Sequence, residues 1–338
     1  MSEHEYDVVA LGNAIVDILS YADDAFLERF NLPKGGMTLI TDKQAELIYA
    51  AMGTATECSG GSAANTAAGV AGLGARVLFI GKVKDDQFGD IFTHDITHVG
   101  VEYHTPKAKK GKPTAQCLVI VTHEGDSRIK AKNAERTMAT YLGASTDITA
   151  ADVDEASIRV AKVTYIEGYL WDQPAAKEAC MKAIHAAHDA GNKVAFTLSD
   201  PFCVDRHRKD FLNLVEKHVD ILFANEHEIR SLFEEEDLRK IIIRLQGVCE
   251  VAAVTRSAKG SYIITSDGSV HDIPAHPVEE VYDVTGAGDL YASGFLYGYV
   301  NGWAHEKSGA LAARCAAEVI KYLGGRPLTD LSVIAQEI

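Results

Sequence analysis

The sequence predicts an α/β fold in which helices cover a mostly parallel β-sheet, with a second and smaller sheet beside it. Short apolar runs alternate with longer helical patterns through most of the chain, which is typical of parallel sheets. The runs expected to form strands are residues 8–11, 77–80, 163–166, 194–198, 221–223 and 251–255. The segments expected to form helices are residues 63–73, 87–98, 150–159, 174–190, 205–217, 227–245, 287–299 and 305–322.

Two stretches interrupt this alternation, residues 13–42 and 103–143. Within the second stretch, residues 115–122 and 128–141 have strand patterns joined by turns. We expect the two insertions to pair as a small β-sheet that forms a lid over a site at the carboxyl ends of the main strands. The remaining residues, 1–12, 43–102 and 144–338, are assigned to the large α/β domain.

The composition argues against several classes of partner and site. With 33 Lys and Arg against 48 Asp and Glu, the net charge of −15 would repel a nucleic-acid backbone and an anionic membrane surface. The six cysteines include no Cys-x-x-Cys pair, so neither a zinc site nor a disulfide framework is indicated. The acidic N-terminus and the lack of a long apolar run predict a cytoplasmic protein.

The strongest chemical signal is the run Asp283-Val284-Thr285-Gly286-Ala287-Gly288-Asp289, which precedes an apolar helical pattern. Glycines at a helix N-terminus let the backbone approach an anion, and the free N–H groups of the first turn stabilise charge on a phosphoryl group. The carboxylate of Asp289 would lie beside this anion hole, where it can accept the proton of an attacking hydroxyl. The residues alone leave an alternative open, a glycine turn with an ordinary acidic residue at a helix start.

A second signal is the run Gly60-Gly61-Ser62-Ala63-Ala64-Asn65, which opens a helix rich in Ala and Gly. Gly61 and Asn65 could present a backbone group and an amide to ligand hydroxyls, although close helix packing also explains the glycines. Asn13 and Asp17 follow the first strand, where a carboxylate suits the vicinal hydroxyls of a sugar. The alternative for a lone Asp in a loop is a turn residue.

Two further groups follow predicted strands. Asn225 and Glu228 come after the strand at 221–223, and an amide with a carboxylate suits a hydrated Mg²⁺, although an N-cap with an acidic first turn fits equally. Tyr169 and Phe202 lie just beyond strand ends, where an aromatic ring can stack on a base, but core packing also explains such rings.

Four motifs in chain order resemble the signatures of the ribokinase-like family, also called PfkB sugar and nucleoside kinases: residues 60–65, 225–228, 255–260 and 283–289. The resemblance spans nearly the whole chain. It implies a three-layer α/β/α domain with a small β lid and a catalytic base at Asp289. It also implies an anion hole formed by the amides of Gly286, Ala287 and Gly288.

The same resemblance implies the binding roles of other residues. ATP would lie over the C-terminal half, with the nucleotide bounded by Asn225, Thr255, Ser257, Gly260 and Cys315. Asn225 and Glu228 would hold Mg²⁺ through water, and Arg136 would reach from the lid to the transferring phosphate. Asp283 and Thr285 match positions that hold a monovalent cation such as K⁺ in some members.

Within the family, Gly12-Asn13-x-x-x-Asp17 and residues 197–202 are more similar to adenosine kinases than to fructokinases. This similarity implies that the ribose hydroxyls are held by Asp17, Gly61 and Asn65, with Asn13 as a further substrate-binding residue. It implies apolar walls for a purine from Met37, Leu39, Cys117 and Phe202, with Tyr169 nearby. Met37 stands where the animal adenosine kinases have a glutamine near the base.

The leading hypothesis is therefore ATP-dependent phosphorylation of a nucleoside 5′-hydroxyl, with adenosine as the acceptor, by a monomer or homodimer. A fructokinase or ribokinase acting on a free sugar would use the same machinery. A sensor that binds nucleoside without catalysis is a third hypothesis. A nicotinamide oxidoreductase is disfavoured, because Tyr291 stands where the dinucleotide fingerprint requires glycine.

Overall fold

The computed structural model describes residues 4–122 and 135–338. These residues form fourteen strands: β1 (Tyr6–Leu11), β2 (Ile15–Tyr21), β3 (Met37–Leu39), β4 (Ala55–Gly60), β5 (Val77–Ile80), β6 (Val101–Tyr103), β7 (Ala115–Thr122), β8 (Glu135–Tyr141), β9 (Ala161–Glu167), β10 (Lys193–Thr197), β11 (Ile221–Asn225), β12 (Val251–Thr255), β13 (Ser261–Thr265) and β14 (Val270–Ile273). The same residues form twelve α-helices: α1 (Asp24–Arg29), α2 (Asp42–Ala51), α3 (Ser62–Gly72), α4 (Gln87–His98), α5 (Glu155–Arg159), α6 (Pro174–Asp189), α7 (Pro201–Lys217), α8 (Glu226–Phe233), α9 (Leu238–Leu245), α10 (Ala287–Val300), α11 (His305–Val319) and α12 (Leu331–Gln336).

The large sheet has the strand order β14-β13-β12-β11-β10-β9-β1-β5-β6, and its strands from β12 to β6 are parallel. Its central strands are apolar on both faces, because helices cover both sides. Val9 and Leu11 pack with α5 to α9 on one side, while Val8 and Ala10 pack with α3, α4, α10 and α11 on the other. The predicted three-layer α/β/α domain is confirmed.

The second sheet has the order β3-β8-β7-β2-β4. Alternate residues of β2 point to opposite faces, as expected for a strand with one covered side. Val16 and Ile18 are buried in one core cluster with Leu27 of α1 and Ile48 of α2. The opposite face carries Asp17 and the side chains of a small apolar cluster around Cys117, which includes Leu323 near the C-terminus.

The structure corrects several predicted boundaries. Residues 55–60 were assigned to the large domain, but they form β4 of the second sheet; their sequence is mostly polar and gives no strand pattern. The helix predicted at 227–245 is two helices, α8 and α9, because Glu234 adopts a left-handed conformation with φ 49°. Residues 150–159 form a 3₁₀ turn and the short helix α5. Part of the strand predicted at 128–141 lies outside the described residues.

All six cysteines are free thiols. No helix within the described ranges is long and apolar enough to cross a membrane.

Helices α3 and α10 approach each other closely. A Cβ placed on Gly69 of α3 would lie 2.3 Å from Oγ of Ser293 and 2.8 Å from Cδ1 of Leu290, both on α10. Ser293 Oγ also donates a hydrogen bond to the carbonyl oxygen of Thr66 at 2.9 Å. The small residues predicted from the Ala- and Gly-rich pattern therefore set the distance between these helices.

Replacing Gly69 by Ala should push α10 away from α3. Overpacking of this kind costs about 1–3 kcal/mol, so the free energy of unfolding measured in urea should fall by that amount. Gly72→Ala on the same helix is the matched control, because its nearest contact would be an ordinary 3.7 Å from Leu331. Equal stability of the two variants would contradict this account of the helix contact.

Candidate active site

The candidate site lies where the parallel strands end. Because carboxyl ends of parallel strands meet at one edge of a sheet, Asn13 after β1, Glu167 at the end of β9, and Asn225 and Thr255 at the ends of β11 and β12 share that edge. Asn225 and Thr255 are paired in the sheet register.

The N-terminus of α10 forms a loop with free amides. Gly286 caps the helix at φ 73°, and a Cβ there would lie 2.7 Å from Cα of Gly325, so only glycine fits. The N–H of Ala287 donates to the carbonyl oxygen of Val284 at 3.2 Å, which engages one of the three amides predicted for the anion hole. Within the described ranges the N–H groups of Gly288 and Asp289 have no acceptor, and the space beside the Cα of Gly288 is open.

Asp289 lies in the first turn of α10 and is held by two side chains of α3. Ser62 Oγ donates to its Oδ1 at 2.7 Å, and Asn65 Nδ2 donates to its Oδ2 at 3.1 Å. Burial raises the pKa of Asp289 to about 6, while these hydrogen bonds and the nearby Arg326 oppose the increase. Asp289 is therefore ionised at neutral pH yet more basic than an exposed aspartate, as a proton acceptor requires.

The start of α3 is fixed by close backbone contacts. Gly61 caps α3 at φ 100°, and a Cβ there would lie 2.2 Å from the carbonyl oxygen of Asn13. This contact brings the predicted acceptor residues Asn13, Gly61 and Asn65 together at one place.

Glu167 is a central residue that the sequence did not reveal. Its Oε1 accepts hydrogen bonds from the backbone N–H of Asn13 at 2.8 Å and from its Nδ2 at 2.7 Å, and its Oε2 accepts from the N–H of Ala63 at 2.8 Å. Burial raises the pKa of Glu167 to about 7, and the charge of Asp289 adds to this effect. The fully buried carboxylate thus joins the end of β1 to the start of α3. In the sequence, the only indication of a role for Glu167 was that an acidic residue stood at the end of an apolar strand.

Asp17 lies on the second sheet between Cys58 of β4 and Cys117 of β7, each paired with it in register. Burial raises the pKa of Asp17 to about 6; the charges of Asp289 and Asp283 add to this increase, and those of Arg136 and Arg326 oppose it. The predicted acceptor-binding carboxylate and the predicted base are therefore near enough to interact. No hydrogen-bond donor within the described ranges contacts the Asp17 carboxylate.

Arg136 of β8 connects the second sheet to the anion loop. Its Nη1 donates to Asp283 Oδ2 and to Thr285 Oγ1, in a largely buried ion pair. Asp283 Oδ2 also accepts from the N–H of Gly324 at 2.7 Å. The guanidinium occupies the oxygens that were predicted to hold a monovalent cation, so these residues do not fit such an ion in this arrangement.

Asn225 and Glu228 form a capping box at the start of α8, the structural alternative considered from the sequence. The Asn225 side chain accepts from the N–H of Glu228 at 2.9 Å, and the Glu228 carboxylate accepts from the N–H of Asn225 at 2.9 Å. Burial raises the pKa of Glu228 to about 7, with further contributions from the charges of Asp200 and Asp289. The negative charges of Asp200 and Asp289 thus reach the Glu228 carboxylate, an arrangement that fits a hydrated Mg²⁺.

The remaining predicted residues differ in accessibility. Met37, Leu39 and Phe202 are 51%, 61% and 75% exposed, and Leu39 and Cys117 both pair with Thr140, which places them on the Asp17 face of the second sheet. Tyr169 is half-buried against the core. Ser257 is exposed at the turn after β12.

The structure contradicts the predicted nucleotide contact of Cys315, and it gives a structural reason for the glycine at position 260. Cys315 is completely buried in an apolar cluster with Leu290 and Val319, so its side chain cannot contact a nucleotide. A Cβ on Gly260 would lie 2.0 Å from the carbonyl oxygen of Ile273, so backbone packing alone requires glycine there.

Glu167→Gln should destabilise the protein at pH 8, where the carboxylate is ionised. The amide can keep the two bonds to Asn13 but must turn its NH₂ group toward the N–H of Ala63, leaving a buried donor unpaired. We expect the free energy of unfolding in urea to fall by about 1–3 kcal/mol. Glu178→Gln, on the exposed face of α6, should change it by less than about 0.5 kcal/mol. An unchanged stability for Glu167→Gln would show that the three bonds are not needed.

The chain is similar to several proteins named as kinases. A crystal structure titled adenosine kinase from Sinorhizobium meliloti is 46% identical, with a TM-score of 0.88, and the match covers 98% of this chain and 99% of that one. A structure titled probable sugar kinase from Rhizobium etli is also 46% identical with a TM-score of 0.88, over 100% and 99% of the two chains. A 5-dehydro-2-deoxygluconokinase of Clostridium perfringens is 29% identical over 72% of each chain.

The family model described as pfkB family carbohydrate kinase matches residues 37–330, which is most of the chain and includes the motifs at 60–65, 225–228 and 283–289. The chain therefore belongs to the pfkB family of carbohydrate kinases, phosphotransferases that act on hydroxyl groups.

Proposed function

We propose that this kinase transfers the γ-phosphoryl group of ATP to the 5′-hydroxyl of a nucleoside, with adenosine as the acceptor. The observation that carries the proposal is the position of Asp289 beside the free amides of α10, facing a second sheet that offers both Asp17 and exposed apolar side chains. A carboxylate suits ribose hydroxyls, while Met37 and Leu39 suit an aromatic base. A free sugar has no aromatic base that could pack against Met37 and Leu39. The 46% identical adenosine kinase supports the same acceptor.

In the proposed reaction, Asp17, Asn13 and the backbone near Gly61 hold the ribose so that its 5′-hydroxyl meets Asp289. Asp289 accepts the proton of that hydroxyl while the hydroxyl oxygen attacks the γ-phosphorus of ATP, and ADP leaves. The free amides of Gly288 and Asp289 stabilise the negative charge on the transferring group. Arg136, which contacts the anion loop, adds positive charge at its edge.

ATP is proposed to lie over the ends of β11 and β12, near Asn225 and Thr255, with Ser257 and Gly260 at the following turn. Asn225 and Glu228 would hold Mg²⁺ through water molecules, and the ion would neutralise charge on the phosphates. The second sheet would exclude water from the site as a lid.

A sugar is the second candidate acceptor. The structure titled probable sugar kinase is as similar to this chain as the adenosine kinase is, and the Clostridium perfringens relative is named for a sugar acid. The same base and anion loop would serve either acceptor, so the contacts around Asp17, Met37 and Leu39 distinguish them.

A coupled ADP-release assay with adenosine, inosine, guanosine, ribose and fructose tests the acceptor, with and without K⁺. We expect adenosine to give a kcat/KM at least about tenfold above that of ribose and fructose, since base contacts add affinity that a free sugar lacks. Because Arg136 occupies the predicted cation site, omission of K⁺ should leave kcat within about twofold of its value with K⁺. A preference for ribose or fructose would contradict the nucleoside assignment and favour the sugar-kinase alternative.

Asp289→Asn should lower kcat by at least about 10³-fold, because the amide cannot accept the proton. In the unmodified enzyme kcat/KM should fall about tenfold per pH unit below about pH 6, where Asp289 becomes protonated, and level off above pH 7. Adenosine binding to the variant, measured by calorimetry, should persist because Asp17 and Asn13 are intact.

The matched control is Asp17→Asn, which should raise KM for adenosine while keeping the acid limb of the pH profile. Substantial turnover by Asp289→Asn would remove Asp289 from its role. Loss of the acid limb in Asp17→Asn would assign that limb to Asp17 instead.

A further inference from the structure

Arg326 belongs to a segment that the sequence motifs did not include. The segment Gly324-Gly325-Arg326 follows α11 and lies against both halves of the site. The N–H of Gly324 donates to Asp283 Oδ2 at 2.7 Å. A Cβ on Gly286 would lie 2.7 Å from Cα of Gly325, and a Cβ on Gly325 would lie 2.5 Å from Nδ2 of Asn65. The segment therefore supports the anion loop and the start of α3 at once.

The Arg326 guanidinium makes a specific contact with the oxygen of Asn65. Its Nε donates to Asn65 Oδ1 at 2.9 Å, and its Nη2 donates to Ser59 Oγ at 3.0 Å. The other end of the same amide, Asn65 Nδ2, donates to Asp289 at 3.1 Å. One amide thus joins the cation to the proposed base.

An asparagine amide has one end that accepts hydrogen bonds and one that donates them. A flipped Asn65 would point its NH₂ group at the guanidinium and its oxygen at the Asp289 carboxylate, so that both contacts would be repulsive. Arg326 therefore selects the one orientation in which Asn65 donates to Asp289.

Resting on the proposed function, we propose that Arg326 is a positioning residue for proton transfer: it fixes Asn65, which holds the Asp289 carboxylate toward the acceptor hydroxyl. Its charge also opposes the increase in the pKa of Asp289 that burial causes. Asp289 interacts electrostatically with Asp17 of β2, Tyr165 and Glu167 of β9, Glu228 of α8 and Arg326. Among these groups, Arg326 is the one that carries a positive charge. It also lies near Asp95 of α4, which accepts from the Ser59 hydroxyl.

The test uses the full-length enzyme with Arg326→Met, Asn65→Ala and the double variant. Arg326→Met should lower kcat by roughly 10- to 100-fold, the size expected when a reacting group is displaced. It should also move the acid limb of the kcat/KM profile to higher pH, because the opposing charge is gone. On the Asn65→Ala background the same substitution should change kcat by less than about 3-fold, since the residue through which it acts is already absent.

Two further variants keep the test decisive. Arg326→Lys retains the charge but loses the Nε contact, so it should keep the wild-type acid limb with a reduced kcat; it also serves if Arg326→Met does not fold. Arg314→Met removes an arginine of α11 that pairs with exposed Glu337, and it should leave both quantities unchanged. An unmoved acid limb in Arg326→Met, or equal effects with and without Asn65, would overturn the proposal.

Failure of the proposed function gives a different result. If the unmodified enzyme phosphorylates a sugar but no nucleoside, the nucleoside assignment is wrong. The Arg326 variants can then be compared with that sugar as the acceptor, because either acceptor would lose its proton to Asp289. An unmodified enzyme without phosphotransfer to any acceptor would contradict the proposed function itself.

Discussion

The close contact of α3 with α10 is the constraint on which the site depends. Larger residues at the interface would keep the first turns of the two helices apart, because even a Cβ on Gly69 would lie too close to Ser293 and Leu290. The contact places Ser62 and Asn65 within hydrogen-bond distance of Asp289, although they are more than two hundred positions apart in the sequence. The geometry of the base therefore comes from helix packing and not from a loop, which holds it more rigidly.

The sequence predicted the parts of the fold that local pattern controls. Apolar strands covered by helices were visible as continuous runs, and the Gly-rich helix starts were visible as motifs. It did not predict β4, whose polar residues are fixed in the second sheet by pairing with β2. Nor did it predict Glu167 or Arg326, because each is a single polar residue whose importance arises from partners distant in sequence. Asn225 and Glu228 were found by motif, yet only the structure showed that they bond to each other.

Polar groups inside the site are held mainly by one another. Glu167 satisfies three donors from two segments, Asn65 connects Arg326 to Asp289, and Arg136 connects the second sheet to the anion loop. A buried polar group without a partner is costly, so such a network has few alternative arrangements of similar energy. This explains how the site can keep its reacting groups in fixed positions before any ligand arrives.

The distribution of charge suggests how the base is activated. Burial already raises the pKa values of Asp17, Glu167, Glu228 and Asp289 above those of exposed acids, and neighbouring carboxylates add to the increase at the first three. A phosphate group arriving at the amides of α10 would add negative charge beside Asp289 and disfavour its ionised form further. The carboxylate would thus become a stronger proton acceptor when the phosphoryl donor is in place. Arg326 limits this effect, because its charge keeps Asp289 ionised until the acceptor hydroxyl can supply the proton.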